Sequence, residues 1–418
     1  MKVIHFADVH LGMENYGKFD PETGLNSRLG DFLNSFDALI AITKKEKVDL
    51  VVFAGDAFKT RDPSPTYQKA FASKIYEIAS SDIPVVMLVG NHDLPGALGK
   101  AHTLEIYKTL NVPNVYTLAS DEIIVVDTNK GPIQIAGLPW YTKNQLIAKD
   151  DQRLALEKMM AKLSVVLSKK VEALSNKIDS TIPSILLAHA TVEGATYGSE
   201  RSVMIGSDIL LPIETLKRGR FNYVALGHLH KFQVLSDPAP GGGRPVIYSG
   251  SIERVDFGEE KEDKGFILID FDKTAGKKST GWQTSWQFIK TPARKFLTIK
   301  IKVADNDSDP TETILRQIEK YTIDEAVVKI IIEVSEEKQA EISESKIRDK
   351  LSRANFIAGI IKEIKSSERT QIKSGFSDEL SSLDTIGILE KYLEAKKVSK
   401  THKQDLIKTA EKLIEETL

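Results

Sequence analysis

The chain has 418 residues, 41% hydrophobic and 28% charged, with 57 basic against 59 acidic side chains and no cysteine. This is the composition of an ordinary soluble globular protein of two or three domains, and it excludes disulfides, thiolate zinc sites and any global basic pull towards nucleic acid. Any metal must be held by Asp, Asn, His and water, a donor set that suits manganese, magnesium, iron or zinc and leans to manganese where oxygen and imidazole are mixed.

Met1 and Lys2 lead directly into the first apolar run, leaving no room for a secretory core. No apolar run approaches the roughly 20 residues that span a bilayer, so a cytoplasmic protein without a membrane is expected. From residue 1 to about 120, apolar runs alternate with helical patterns at about 28–46, 66–79 and 102–110, as parallel βαβ units do. Strand-like runs at 122–127 and 132–137 precede a helical stretch at about 150–178, whose amphipathic pattern predicts a cover for a sheet. Strands ending at His189 and His228 follow. Runs near 231–235, 245–249, 265–271 and 285–289 then predict a second, antiparallel layer, with Gly241-Gly242-Gly243 as a hairpin turn.

Near Thr291-Pro292 the character changes. Strands at 296–303, 327–334 and 356–364, separated by helical patterns at about 310–321 and 343–353, predict a compact βαβαβ unit. A polar linker precedes two short amphipathic helices, one lined by Ile386, Leu389, Tyr392 and Leu393, the other by Leu406, Ile407, Ala410, Leu413 and Ile414. The organisation expected is a first domain over 1–293, a second over 294–366, a linker over 367–385 and a helix-loop-helix over 386–418.

Five of the apolar runs end in residues of metal-ligand type. Val3 to Ala7 meets Asp8 and His10; Leu50 to Ala54 meets Gly55-Asp56; Val85 to Val89 meets Gly90-Asn91-His92-Asp93. Ser184 to Ala188 meets His189, and Tyr223 to Leu226 meets Gly227-His228-Leu229-His230. Side chains at the carboxyl ends of buried strands converge on one edge of a sheet, where open α/β folds place their sites. A pair of divalent ions able to clamp both oxygens of a phosphodiester displacement needs a shared carboxylate, hard oxygen ligands and imidazoles, and these positions supply them. Gly55 lets the site approach the backbone. His92 can face a substrate instead of a metal, where it would supply the leaving group with a proton.

The motif series Asp8-x-His10, Gly55-Asp56, Gly90-Asn91-His92-Asp93, His189 and Gly227-His228-x-His230 resembles that of the calcineurin-like metallophosphoesterases. More narrowly the chain resembles the SbcD-like nuclease subunits of the meiotic-recombination (MR) type double-strand-break repair complexes, through Ser64-Pro65, the run from His189 to Gly194, Gly198 to Arg201, the small second domain and the terminal helices. The resemblance implies an α/β fold, a two-layered β-sandwich flanked by helices, with a small α/β capping domain and a C-terminal helix-loop-helix. It implies two divalent ions, most simply Mn2+, with Asp8, His10, Asp56 and His230 around the first and Asp56, Asn91, His189 and His228 around the second. Asp56 would bridge, and His92 would contact the scissile phosphate.

The implied activity is 3′–5′ exonuclease and single-strand or hairpin endonuclease cleavage of DNA, acting with an SbcC-like coiled-coil ATPase bound by residues 386–418. A homodimer is implied through helices near 66–79 and 102–110, with Tyr67, Phe71, Leu104 and Tyr107 as contacts. A small-molecule or cyclic nucleotide phosphodiesterase and a DNA-end-binding scaffold are the alternatives; the region beyond residue 293 argues against the first, and the complete set of ligand-type residues against the second. Lys59 stands where many relatives carry His or Asp. With Arg61 and Arg201 it is a candidate phosphate contact, as are Lys217-Arg218-Arg220 and Arg294-Lys295. No Gly-x-x-x-x-Gly-Lys-Ser/Thr loop occurs, so any ATP dependence must come from a partner. His5 is expected to be structural, Asp93 to orient the Asn91-His92 turn, and His102 and His402 to lie on helical surfaces.

Overall fold

The apolar runs become strands buried on both faces, because each lies between a second sheet and a layer of helices. The computed structural model describes residues 1–95, 100–146, 156–198, 208–237, 244–273, 281–365, 386–387, 389–390, 393 and 400–415. Strands β1 (Lys2–Phe6), β2 (Leu50–Phe53), β3 (Val85–Leu88), β4 (Val115–Leu118), β5 (Glu122–Thr128), β6 (Gly131–Leu138) and β7 (Ser184–His189) come first. They are followed by β8 (Thr191–Val192), β9 (Leu210–Leu211), β10 (Tyr223–Gly227), β11 (Gln233–Ser236), β12 (Val246–Tyr248), β13 (Gly265–Lys273) and β14 (Trp282–Lys290).

One six-stranded sheet has the order β14-β13-β1-β2-β3-β4, and the other β11-β12-β10-β7-β6-β5. In the first, β1 to β4 run parallel and β13 and β14 antiparallel. In the second, β6, β7, β10 and β12 run parallel, and the edge strands β5 and β11 antiparallel.

Alternation along the strands sorts the side chains into three layers. Val52, Val86, Ile185, Leu187, Ala225 and Ile247 fill the space between the sheets. Val51, Phe53 and Met87 face the helices Ser27–Lys45 and Pro65–Ala79, meeting Phe36, Phe71 and Ile75. Leu186 and Val224 face the helix Leu156–Asn176, meeting Leu163, Leu167 and Val171. Each of these side chains larger than alanine contributes about 1.5–3 kcal/mol by burial. The sandwich therefore has the stability to hold strained loops at its rim. His5 is part of this interior: its Nε2–H donates to Leu226 O at 3.2 Å and its Nδ1 accepts from the Tyr223 hydroxyl at 3.1 Å, tying one sheet to the other. Burial pushes its pKa down to about 3, so it stays neutral.

Two expectations need correction. The runs near 265–271 and 285–289 do not join a second antiparallel layer; as β13 and β14 they extend the first sheet beyond β1. The second sheet is built instead on β6, β7, β10 and β12, which are parallel. An apolar run announces a strand but not its partner. The motif-bearing strands consequently do not share one sheet edge: β1, β2 and β3 bring their ends from one sheet, β7 and β10 from the other.

The helix near 102–110 is shorter than the pattern suggests, Glu105–Thr109, because Thr103 N is held by Asp93 O at 3.1 Å. His102 precedes this helix, with its side chain only 10% exposed and paired with Glu105, so it is not the surface helical residue expected. Phe71 and Leu104 are fully buried and Tyr107 nearly so, while Tyr67 packs on Gly12 and bonds Glu14. Phe71, Leu104 and Tyr107 therefore belong to the chain's own core, while Tyr67 is only partly buried.

Beyond the sandwich, β15 (Phe296–Lys302), β16 (Val327–Ser335) and β17 (Phe356–Lys365) form a three-stranded sheet in that order, with helices Pro310–Ile318 and Glu344–Lys350 between them. The chain divides into two compact units, one of residues 1–300, 315–331 and 344–361, the other of 301–314, 332–343 and 362–418. The first contains both six-stranded sheets. The second contains the helix Lys400–Glu415, on which His402 is exposed, as expected, and Leu406 is 41% exposed. The predicted hairpin at Gly241–Gly243, the whole of the linker and Tyr392 lie outside the described residues. No helix among the described residues is long and apolar enough to cross a membrane.

Candidate metal centre

The carboxyl ends of β1, β2, β3, β7 and β10 meet at one rim of the sandwich, and the loops leaving them carry unusual backbone. Asp8, His10, Asp56 and His228 all have positive φ, at 53°, 48°, 63° and 104°. Such conformations cost roughly 1–3 kcal/mol each in non-glycine residues and persist where the surroundings enforce them. Here Asp8 N donates to Gly55 O, and Val9 and His10 N to Asp56 O, so the first two motifs are laced together. Gly55, at φ 97°, and Gly90 allow the contact, since a Cβ on Gly90 would lie 2.2 Å from Asp56 Oδ1. Asp93 completes the frame by accepting from the backbone N–H of Asp56, Ala57 and Gly90 at 2.8, 3.0 and 2.9 Å. It orients the turn, as its position in the sequence suggested.

Asp8, His10, Asp56, His189, His228 and His230 are buried, and Asn91 and His92 are half-buried beside them. Three of the imidazoles are oriented through the nitrogen that faces away from the centre. His189 Nδ1–H donates to Ala54 O at 2.7 Å, His228 Nε2–H to Asp208 Oδ2 at 3.0 Å, and His230 Nδ1–H to Glu259 Oε1 at 2.9 Å. Those acceptors fix the tautomers, and the remaining lone pairs converge. His189 Nε2 and His228 Nδ1 lie 2.9 and 3.0 Å from Asn91 Oδ1, and His10 Nε2 lies 2.9 Å from His230 Nε2. Asp56 Oδ2 stands between the two groups, 3.4 Å from His189 Nε2 and 3.7 Å from His10 Nε2. Accordingly Asp56 belongs to both sets of side chains that could hold a cation, His10-Asp56-His92 and Asp56-His189-His228.

A pocket of facing acceptors needs a positive charge, and these residues fit a pair of divalent ions. Two nitrogens bound at ~2.1 Å and at right angles sit roughly 3 Å apart, which is the His10–His230 spacing seen here. The electrostatics point the same way. Burial pushes the Asp8 carboxyl up to about 7 against the pull of His189 and His230. Burial also raises Asp56, but His189, His10 and His92 together outweigh it and hold that carboxyl well below the usual range. His189, which burial alone would lower, is lifted to about 9 by Asp56. Bound cations would allow both carboxylates to ionise among neutral imidazoles.

His92 is placed differently. Its Nδ1–H donates to the backbone carbonyl of Lys59 at 2.6 Å, its backbone N–H donates to Asp56 Oδ1 at 2.8 Å, and its ring meets His10 edge-on. Lys59 thus contributes its backbone to the site; its side chain is half-exposed, and Arg61 is exposed. Arg201 lies outside the described residues.

Sequence reasoning missed four neighbours. Asp208 and Glu259 hold the far nitrogens of His228 and His230, Lys264 pairs with Glu259 at 2.9 Å, and Trp140 packs on His228 at a 34° tilt with ring centroids 4.5 Å apart. Burial opposes the ionisation of Glu259, but Lys264 and His230 overcome it and bring its pKa down to about 2. Asp208, Glu259 and Lys264 end no apolar run, and Trp140, two residues past β6, is not of metal-ligand type, so the pattern that marks the others misses them.

Residues 1–232 match the family model of calcineurin-like phosphoesterases. Among curated proteins the chain is similar to the SbcD component of the SbcCD nuclease of Staphylococcus epidermidis (strain ATCC 12228), at 29% identity over 274 residues. That match covers 65% of this chain and 66% of the relative, just under two thirds of the latter's length. Among solved structures, TT1561 of Thermus thermophilus aligns over 68% of this chain and 97% of its own, at 12% identity and a TM-score of 0.35. A dimetal phosphatase from Danio rerio aligns over 64% and 92%, at 11% identity and a TM-score of 0.35.

Proposed function

Because this chain belongs to the calcineurin-like phosphoesterase family, we propose that it is a cytoplasmic two-metal DNA nuclease, with 3′–5′ exonuclease and single-strand or hairpin endonuclease activity in double-strand-break repair. The observation that carries this reading is Asp56, a carboxylate common to two cation-capable groups. The relative's name, that of a nuclease subunit, supports a nucleic acid as the substrate class. Asp8, His10, Asp56 and His230 would hold one ion and Asp56, Asn91, His189 and His228 the other. Two Mn2+ ions, when bound, would supply Lewis acidity towards the phosphate and a water of lowered pKa.

The chain's own residues do the rest. Asp56 keeps the two halves of the site in register. His92, with Nδ1–H engaged by Lys59 O, would present Nε2 to the leaving 3′ oxygen, where its imidazolium form can donate a proton or stabilise charge. Lys59, Arg61 and Arg201 are proposed phosphate contacts, and residues 294–366 a capping domain along the DNA. A manganese assay of single-stranded DNA beside a chromogenic phosphodiester tests the substrate. DNA cleavage abolished by chelator is expected; hydrolysis of the small ester alone would assign a small-molecule phosphodiesterase, and end binding without any cleavage would leave a scaffold.

Residues 386–418 are proposed to bind an SbcC-like coiled-coil ATPase. Their deletion is expected to leave metal-dependent cleavage intact while abolishing co-purification with that ATPase; unchanged co-purification would contradict it. A homodimer is proposed through the surface that the helices Pro65–Ala79 and Glu105–Thr109 leave open. There Tyr76, Ile106 and Leu110 are 64%, 52% and 68% exposed around an apolar groove lined by Ala72, Ile75 and Val112. Ile106→Glu combined with Leu110→Glu is expected to halve the mass measured by light scattering, because the buried charges would face their own copies across a two-fold interface.

A further inference from the structure

One buried ionic cluster behind the metal-facing residues has a geometry that stability does not explain. Glu259 and Lys264 have fully buried side chains, and the carboxylate uses both oxygens: Oε1 lies 2.9 Å from His230 Nδ1, while Oε2 lies 2.9 Å from Lys264 Nζ and accepts from Val255 N at 2.9 Å. Lys264 Nζ also donates to the backbone carbonyl of His230 at 3.0 Å. The pair therefore grips both the ring and the main chain of one residue. The turn Phe257–Glu259 that carries the carboxylate is itself fastened. Arg254 donates through Nε to Glu259 O at 3.2 Å, through Nη2 to Glu262 O at 2.7 Å, and through Nη1 to Ala293 O and Arg294 O at 3.3 and 3.0 Å.

We infer that Glu259, charge-balanced by Lys264 and fixed in place by Arg254, is a positioning residue that sets the tautomer and direction of His230 towards the cation shared with His10. The inference rests on the two-metal reading above. A buried ion pair gains little stability over an apolar pair of the same volume, because desolvation consumes most of the Coulombic attraction. An apolar pair, however, could not orient an imidazole. An ionised carboxylate only accepts, so the hydrogen of His230 must sit on Nδ1, and its Nε2 lone pair then faces His10 Nε2 at 2.9 Å. Carboxylates in this position also raise the basicity of the imidazole, and their loss typically lowers metal affinity 10–100-fold.

The test uses the full chain, with MnCl2 as the titrant, and compares wild type with Glu259→Gln and with Glu259→Gln/Lys264→Met. The double variant removes both charges of the Glu259–Lys264 pair together, although Glu262, 3.0 Å from Lys264 Nζ and 12% exposed, then loses that cation. Calorimetric titration is expected to show two classes of manganese site in wild type. In both variants one class should weaken by roughly 10–100-fold while the other is unchanged. Nitrogen-15 spectra of the metal-free histidine rings should show one imidazole losing its pure Nδ1–H form. Wild-type affinity in either folded variant, or equal weakening of both classes, would overturn the inference. A wild type that takes up no manganese would instead overturn the metal reading on which it stands.

Discussion

His189→Ala and Asn91→Ala are each expected to abolish DNA cleavage in a protein that remains folded. His189 is locked by Ala54 O, and its free nitrogen lies 2.9 Å from Asn91 Oδ1 and 3.4 Å from Asp56 Oδ2. Removing either side chain opens the group formed by the ends of β2, β3, β7 and β10, and the second ion loses its place. An ion that polarises a phosphoryl oxygen contributes several kcal/mol to the transition state, so the loss should be roughly 10³-fold or more in rate. The structural cost is smaller, about 1–3 kcal/mol for the orphaned carbonyl of Ala54, because the strands behind the site remain fully packed. The check is a cleavage assay paired with circular dichroism and a metal count. Full activity in both folded variants would remove the assignment.

His92→Ser should behave in the opposite sense for metal. Both ions are expected to remain bound while turnover falls by about 10²–10⁴-fold, the range for losing a positioned general acid. The contrast is informative because His92 also lies within reach of a cation held by His10 and Asp56. A metal count equal to wild type with a slow enzyme assigns the residue to the substrate. Loss of one ion would make it a ligand, and proton donation would have to come from elsewhere.

Much of this site was legible in the sequence because its main residues terminate apolar runs, and a run that stops at Gly-Asp or Gly-Asn-His is a local pattern. Asp56, Asn91, His189 and His228 are found that way, and the rim brings them together. Glu259 and Asp208 were not legible. Neither sits in a strand or at the end of an apolar run, and the role of each depends on which imidazole the tertiary fold sets 2.9–3.0 Å away. The fold divides similarly. Helices over Ser27–Lys45 and Pro65–Ala79 follow from the period of their apolar residues. The return of β13 to pair with β1, fixed by register pairs such as Ile4 with Leu268, is a long-range choice that alternation does not encode. Phe71 illustrates the same limit: its helical stripe was visible, but only the packing of Phe36, Phe53 and Phe58 around it shows that the stripe faces inward.

Anomalous scattering from crystals soaked in manganese measures metal number and ligands together. Two peaks are expected within one pocket, with Asp56 touching both, His10 and His230 beside one, and Asn91, His189 and His228 beside the other. Manganese found only at surface carboxylates, with His189 and His230 unliganded in the same crystals, would contradict a binuclear centre at this rim.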